Sequence, residues 1–140
     1  MRQILLFAAL ATSLALLNGC TLSKTKADTA EDMTGKAAYQ KISAEDAYEM
    51  IASQEVVVVD VRTQEEYDGG HIENAVLVPN ESIGSEIPEA LPDKEATLLV
   101  YCRSGRRSKD AAQKLLALGY QSVYDFGGVI DWPYELVKEG

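Results

Sequence analysis

Thr97-Leu98-Leu99-Val100-Tyr101-Cys102-Arg103-Ser104-Gly105-Arg106-Arg107-Ser108 passes from an apolar, strand-like run through a short loop into a helical pattern. A strand–loop–helix order of this kind sets the thiol of Cys102 above the first N–H groups of a helix, where negative charge is stabilised. Arg103, Arg106 and Arg107 crowd the loop, although the chain of 140 residues carries a formal net charge of -9. A thiolate beside positive charge has a depressed pKa and reacts at neutral pH. The stretch therefore predicts both a βα unit and a reactive cysteine.

On either side of it the pattern alternates. Ser43 with Ala44-Glu45-Asp46 predicts a capped helix through about Ala52. Val56 to Val61 is a continuous β-branched run (Asp60 apart), the signature of a strand buried on both faces. Thr63-Gln64-Glu65-Glu66 has capping-box spacing and opens a short helix that Gly69-Gly70 stops. Ala75 to Val78 predicts a second strand, Ile83 to Leu91 a weak helix bounded by Pro92, and Leu98 to Tyr101 the third strand. Arg107 to Leu118 has helical spacing in Ala111, Leu115 and Leu118 and ends at Gly119. Val123 to Phe126 predicts a fourth strand, and Val129 to Lys138 a last helix with Pro133 near its start. Strands alternating with helices imply an α/β layer architecture with a mainly parallel sheet. Ligands of such sheets bind at the carboxyl ends of strands, and Cys102 stands at one.

The first nineteen residues read as an export signal: Arg2 is their only charge, and Ile4 to Leu17 is an apolar run shorter than the roughly 20 residues of a membrane span. Leu17-Asn18-Gly19-Cys20 resembles a bacterial lipobox, which implies cleavage before Cys20 and lipidation of that residue, palmitate included. Thr21 is not an aspartate retention signal, so the expected location is the cell envelope, at the outer membrane facing the periplasm in a diderm organism. Residues 20–36 are poor in apolar side chains and read as a flexible tether of roughly 20–25 Å, which leaves 37–140 as one domain. With Cys20 lipidated, Cys102 has no partner for a disulfide. One cysteine and one histidine, His71, do not make a zinc or iron–sulfur site, and no metal or cofactor is expected. The acidic balance argues against nucleic acid as a partner.

Asp60-Val61-Arg62, Glu66-Tyr67, Gly70-His71-Ile72, Ala75, the run from Cys102 to Ser108, Gly127-Gly128 and Trp132 together resemble a rhodanese domain, over about residues 38 to 140. The resemblance implies a three-layer α/β/α fold and sulfur transfer. Cys102 would take the outer sulfur of a donor such as thiosulfate as a persulfide and pass it to cyanide or a thiol, by covalent catalysis with ping-pong kinetics. Small-molecule donor and acceptor, or a thiol protein, are the implied partners of a monomeric domain. Arg103, Ser104, Gly105, Arg106, Arg107 and Ser108 are the implied substrate-binding residues. Backbone N–H groups from Arg103 to Arg107 would surround the sulfur, Gly105 would allow the turn, Arg107 would close the loop on backbone carbonyls, and Ser108 would supply a capping hydroxyl. Cys102 to Arg107 is a C-x4-R loop, shorter than the C-x5-R loop of dual-specificity phosphatases, and this favours sulfur over phosphate or arsenate chemistry. Arg106 adds a cation suited to a dianionic donor. His71 is expected to hold a turn, Asp60 and Arg62 to form a structural pair, and Trp132 and Tyr134 to line the core or a pocket. The alternatives are a sulfane-sulfur carrier or docking module without turnover and, third, a thiol-based phosphatase or arsenate reductase.

Overall fold

Strand β4 (Thr97–Cys102) is the middle of the sheet, because its side chains are apolar on both faces. Leu98, Val100 and Cys102 enter one core cluster, and Leu99 and Tyr101 the other. Beside it lie β2 (Val57–Asp60) and β5 (Ser122–Gly128), with β3 (Val76–Leu77) and β1 (Gln40–Lys41) at the edges. The order is β1-β5-β4-β2-β3 and every pairing is parallel. The computed structural model describes residues 37–138; the expected signal, Cys20 and tether lie outside the described residues.

The helices form where the sequence caps them. Helix α1 (Ala44–Ser53) begins with a reciprocal capping box between Ser43 and Asp46, and α2 (Gln64–Asp68) with one between Thr63 and Glu66. Helix α3 (Arg106–Ala117) buries Ala111, Ala112 and Leu115 in the cluster that contains Cys102. Ala47 of α1 lies in the cluster on the other face, with Phe126 and Trp132. Helices thus cover both faces of the sheet, in the three layers expected. Fully burying one Leu115-sized side chain contributes about 2 kcal/mol, so α3 is fixed by tertiary packing more than by propensity.

Two expected helices are absent, and both were undone by proline. Ile83 to Leu91 is a loop anchored by its buried ends Ile83 and Leu91, preceded by a 3-10 turn at Asn80–Ser82. Pro88 disfavours helical backbone at Ile87, and Gly84 weakens the remainder. Val129 to Lys138 contains only a 3-10 turn, Val129–Asp131. Trp132 before Pro133 is extended, with ψ 112°. The tail then pairs across to His71, whose N–H donates to the Val137 carbonyl at 2.9 Å while the Val137 N–H donates back at 2.8 Å. The two-residue edge strand β1 gave no signal in the sequence.

Candidate active site

Cys102 ends β4 and α3 begins four residues later, so Arg103, Ser104 and Gly105 must reverse the chain. Gly105 does this in the left-handed region, φ 98° and ψ −13°, as the N-cap of α3, and this is why glycine stands there. The Gly105 N–H donates to Cys102 Sγ at 3.0 Å. Cys102 itself is almost fully buried. Burial pushes its thiol pKa up, but hydrogen bonds from the Ser108 N–H and hydroxyl and from the Gly105 and Ser104 N–H groups outweigh it, and the thiol is held below its ordinary value. The sequence leads one to expect the depression from backbone N–H groups of Arg103 to Arg107 and from the neighbouring arginines; hydrogen bonding does lower the pKa, and its foremost donor is Ser108, one residue beyond that run.

The arginines do three different things. Arg107 donates two parallel bonds to Glu66, 2.8 Å to each carboxylate oxygen. This corrects the expectation that it holds backbone carbonyls: a guanidinium fork matches a carboxylate better than single carbonyls. Arg107 remains close enough to Cys102 for the thiolate to favour its charge. Arg103 and Arg106 are exposed, as is Ser104. Arg103 edges a shallow depression of about 310 Å³ walled by Val129, Ile130 and Leu136. Ser108 is buried, and its hydroxyl lies 3.1 Å from the Gly105 carbonyl and 3.3 Å from that of Gly127. It is not the N-cap; its single proton goes to one of those carbonyls or to the sulfur.

Beneath the loop run Gly127 and Gly128. A Cβ on Gly128 would overlap the Arg103 carbonyl oxygen and lie 2.6 Å from Ser104 Cα. The Ile130 N–H donates to the Arg103 carbonyl at 3.2 Å and ties the loop from the same side.

Around this cradle the expected structural roles hold. Arg62 binds Asp60 through Nε and NH2, with the closest contact 2.6 Å, and donates to the Gly70 carbonyl at 2.8 Å. His71 Nδ1 lies 3.0 Å from the Tyr67 carbonyl, and its ring stacks on Tyr67 at 3.6 Å. Trp132 and Tyr134 pack edge-to-face and line a cavity with Tyr48. Sequence reasoning missed the Tyr101 hydroxyl, which donates to Asp60 at 2.7 Å and accepts from the Ile72 N–H at 3.1 Å. It also missed Glu66 as the partner of Arg107, since the capping box and the family resemblance marked Glu66 without pointing to that partner.

The Glu66–Arg107 pair predicts a pH dependence. The Arg107 guanidinium leads in holding the Glu66 carboxyl at about 2, against burial and with help from Thr63. A depressed carboxyl pKa contributes stability above its unfolded value near 4.5, and that contribution is lost as pH falls toward 2. Because both side chains are partly open to water, Glu66→Gln is expected to cost about 1 kcal/mol at pH 7, the upper end for such pairs given the bidentate geometry. Urea melts of the two proteins should differ at pH 7 and converge near pH 2; a difference that persists at acid pH would reject the pair as its source.

Residues 43–133 match the rhodanese-like domain. A tRNA uridine(34) hydroxylase of Hamiltonella defensa is 35% identical over 113 residues, covering 76% of this chain but 32% of that protein. The chain thus spans about a third of the length of the curated relatives it matches. Among solved structures, a rhodanese-related protein from Thermoplasma volcanium is 31% identical with a TM-score of 0.63, over 72% of this chain and all of that one. A human single-domain sulfurtransferase is 25% identical with a TM-score of 0.60, over 66% and 93%.

Proposed function

The chain belongs to the rhodanese-like domain family, and from that membership we propose that it is a sulfurtransferase in which Cys102 carries sulfane sulfur as a persulfide. The observation that carries the reading is the cysteine at the N-terminus of α3, with the Gly105 N–H 3.0 Å from Sγ and the thiol pKa lowered by surrounding donors. Those donors stabilise an anionic sulfur without a general base, which is what a nucleophile that is also a leaving group requires. The Cys102 thiolate attacks the outer sulfur of thiosulfate, and the S–S bond breaks with sulfite leaving. The acceptor, cyanide or a thiolate, then attacks the sulfur held on Cys102, whose Sγ departs as thiolate. Arg103 and Arg106, exposed beside the loop, suit an anionic donor.

The test uses the full chain. Incubation with thiosulfate should add one sulfur atom to Cys102 by mass, and cyanide should then release thiocyanate over many turnovers. A persulfide that forms and never turns over would select the carrier reading; aryl-phosphate hydrolysis without sulfur loading would select the phosphatase. A tRNA substrate, which the name of the hydroxylase relatives states for them, is the second reading. The net charge of -9 weighs against it, and retention of tRNA by the chain at physiological salt would favour it. Lipid anchoring at Cys20 belongs to the same proposal: Cys20→Ala should move the protein from the membrane to the soluble fraction, and unchanged retention would reject the anchor.

A further inference from the structure

The cradle of Cys102 stands on a bulge in β5, and a buried carboxylate holds that bulge. Val100 pairs with Asp125 and Tyr101 with Gly127, so Phe126 is an extra residue opposite the step from Val100 to Tyr101, just before the cysteine. Gly127 is in the left-handed region at φ 93°. The Asp125 carboxylate, itself fully buried, accepts the Gly127 N–H at 2.9 Å. Its other oxygen accepts the Tyr39 hydroxyl at 2.6 Å and lies 3.5 Å from the Lys41 ammonium. Gly127 in turn meets the site twice. Its carbonyl is 3.3 Å from the Ser108 hydroxyl, and its Cα is 3.5 Å from where a side chain on Gly105 would begin.

We propose that Asp125 is a positioning residue for Cys102. Through the bulge it fixes where Gly127 and Gly128 lie, and these set the Ser108 hydroxyl and the loop that carries the Gly105 and Ser104 N–H groups. Tyr39 and Lys41, from the edge strand β1 and the residue before it, orient the carboxylate. The carboxylate is bonded to the Gly127 N–H, Tyr39 and Lys41 and not to the sulfur, and it acts through backbone geometry. Charged groups facing Cys102 directly are Arg107 with its partner Glu66, Glu81 near Arg107, and the exposed Arg103 and Arg106. None of them pairs with Asp125, whereas Asp125→Ala and Asp125→Asn both remove the carboxylate charge beside Lys41, so the difference between those two variants reads the acceptor for the Gly127 N–H and not the charge.

The inference rests on the reading of Cys102 as the reacting thiolate, and its readout is thiol reactivity rather than turnover. The rate of Cys102 alkylation by iodoacetamide is followed against pH on the Cys102-containing peptide of the full chain, so Cys20 does not interfere. Asp125→Ala should raise the pH midpoint by about one unit, because donors drift from the thiolate. Asp125→Asn keeps an acceptor for the Gly127 N–H and should restore the midpoint. Val123→Ala, a core truncation on the same strand, should lower the melting temperature with the midpoint unmoved. Tyr39→Phe should shift the midpoint upward by less than Asp125→Ala and decides the matter if that variant does not fold. An unmoved midpoint in Asp125→Ala or Tyr39→Phe, an equal shift in Val123→Ala, or no rescue by Asp125→Asn overturns the proposal. Sulfur loading of the wild type from thiosulfate is measured separately; its failure would remove the sulfurtransferase reading and leave the positioning result standing.

Discussion

Cys102→Ser is expected to abolish sulfur loading and to lower thiocyanate formation by roughly 10⁴-fold or more, the scale seen when a covalent nucleophile is removed. The reason is electronic. A serine hydroxyl in the same ring of donors remains protonated at neutral pH and is a poor nucleophile toward sulfur, and an alkoxide is a poor leaving group when the acceptor attacks. The cradle itself should survive. The residue is buried at the end of β4, the change is one atom, and the Gly105 N–H can still donate to the hydroxyl. The variant should therefore melt close to the wild type while its persulfide mass shift disappears. Retained thiosulfate:cyanide turnover in Cys102→Ser would place the chemistry elsewhere. Persistence of the added sulfur would point to Cys20, the chain's other cysteine.

Gly128→Ala is the second large effect expected, and the argument is one of space. Gly128 has ordinary extended backbone, φ −115° and ψ 141°, that alanine adopts without strain. What it lacks is room: the new Cβ would run into the Arg103 carbonyl and sit 2.6 Å from Ser104 Cα, and both contacts are backbone atoms with no rotamer to escape into. The loop over Cys102 must lift, and displacement of a catalytic group by about 1 Å can cost about 100-fold in rate. A fall of that order in kcat/KM is expected, with a cost in stability of roughly 1–3 kcal/mol typical of overpacking. Gly84→Ala is the control, since among the described residues nothing beyond its chain neighbours lies within 4 Å of its would-be Cβ. Equal activity in the Gly128 and Gly84 variants would mean that the loop yields without consequence for the sulfur.

Gly105 and Gly128 mark a general difference between local and distant information. The need for Gly105 could be read in the sequence, because a strand that turns within three residues into a helix requires left-handed backbone at the turn. The need for Gly128 could not. It arises from a loop that is distant along the chain, and no local pattern encodes that approach. The same holds for Arg107. Its place one residue into α3 follows from the loop length, whereas its partner Glu66 comes from another helix brought near by the parallel pairing of β2 with β4.

The sequence by itself determined the alternation of strands and helices, the cap at Ser43 and the capping box at Thr63, the doubly buried character of β2, and the cysteine at a strand end before a helix. Each is a matter of residues within one or two turns of each other, where propensity, period and capping act. That Ile83 to Leu91 and Val129 to Lys138 are not helices is also a local matter, because Pro88 and Pro133 oppose helical backbone at the residues before them. Only the tertiary structure decided that Ser108 leads the donors that lower the Cys102 pKa, and that Asp125 and Gly128 underlie the loop. The physical reason is common to these cases. Hydrogen bonds and steric contacts are short-ranged in space and indifferent to separation along the chain, so their partners become known only once the sheet has set its register.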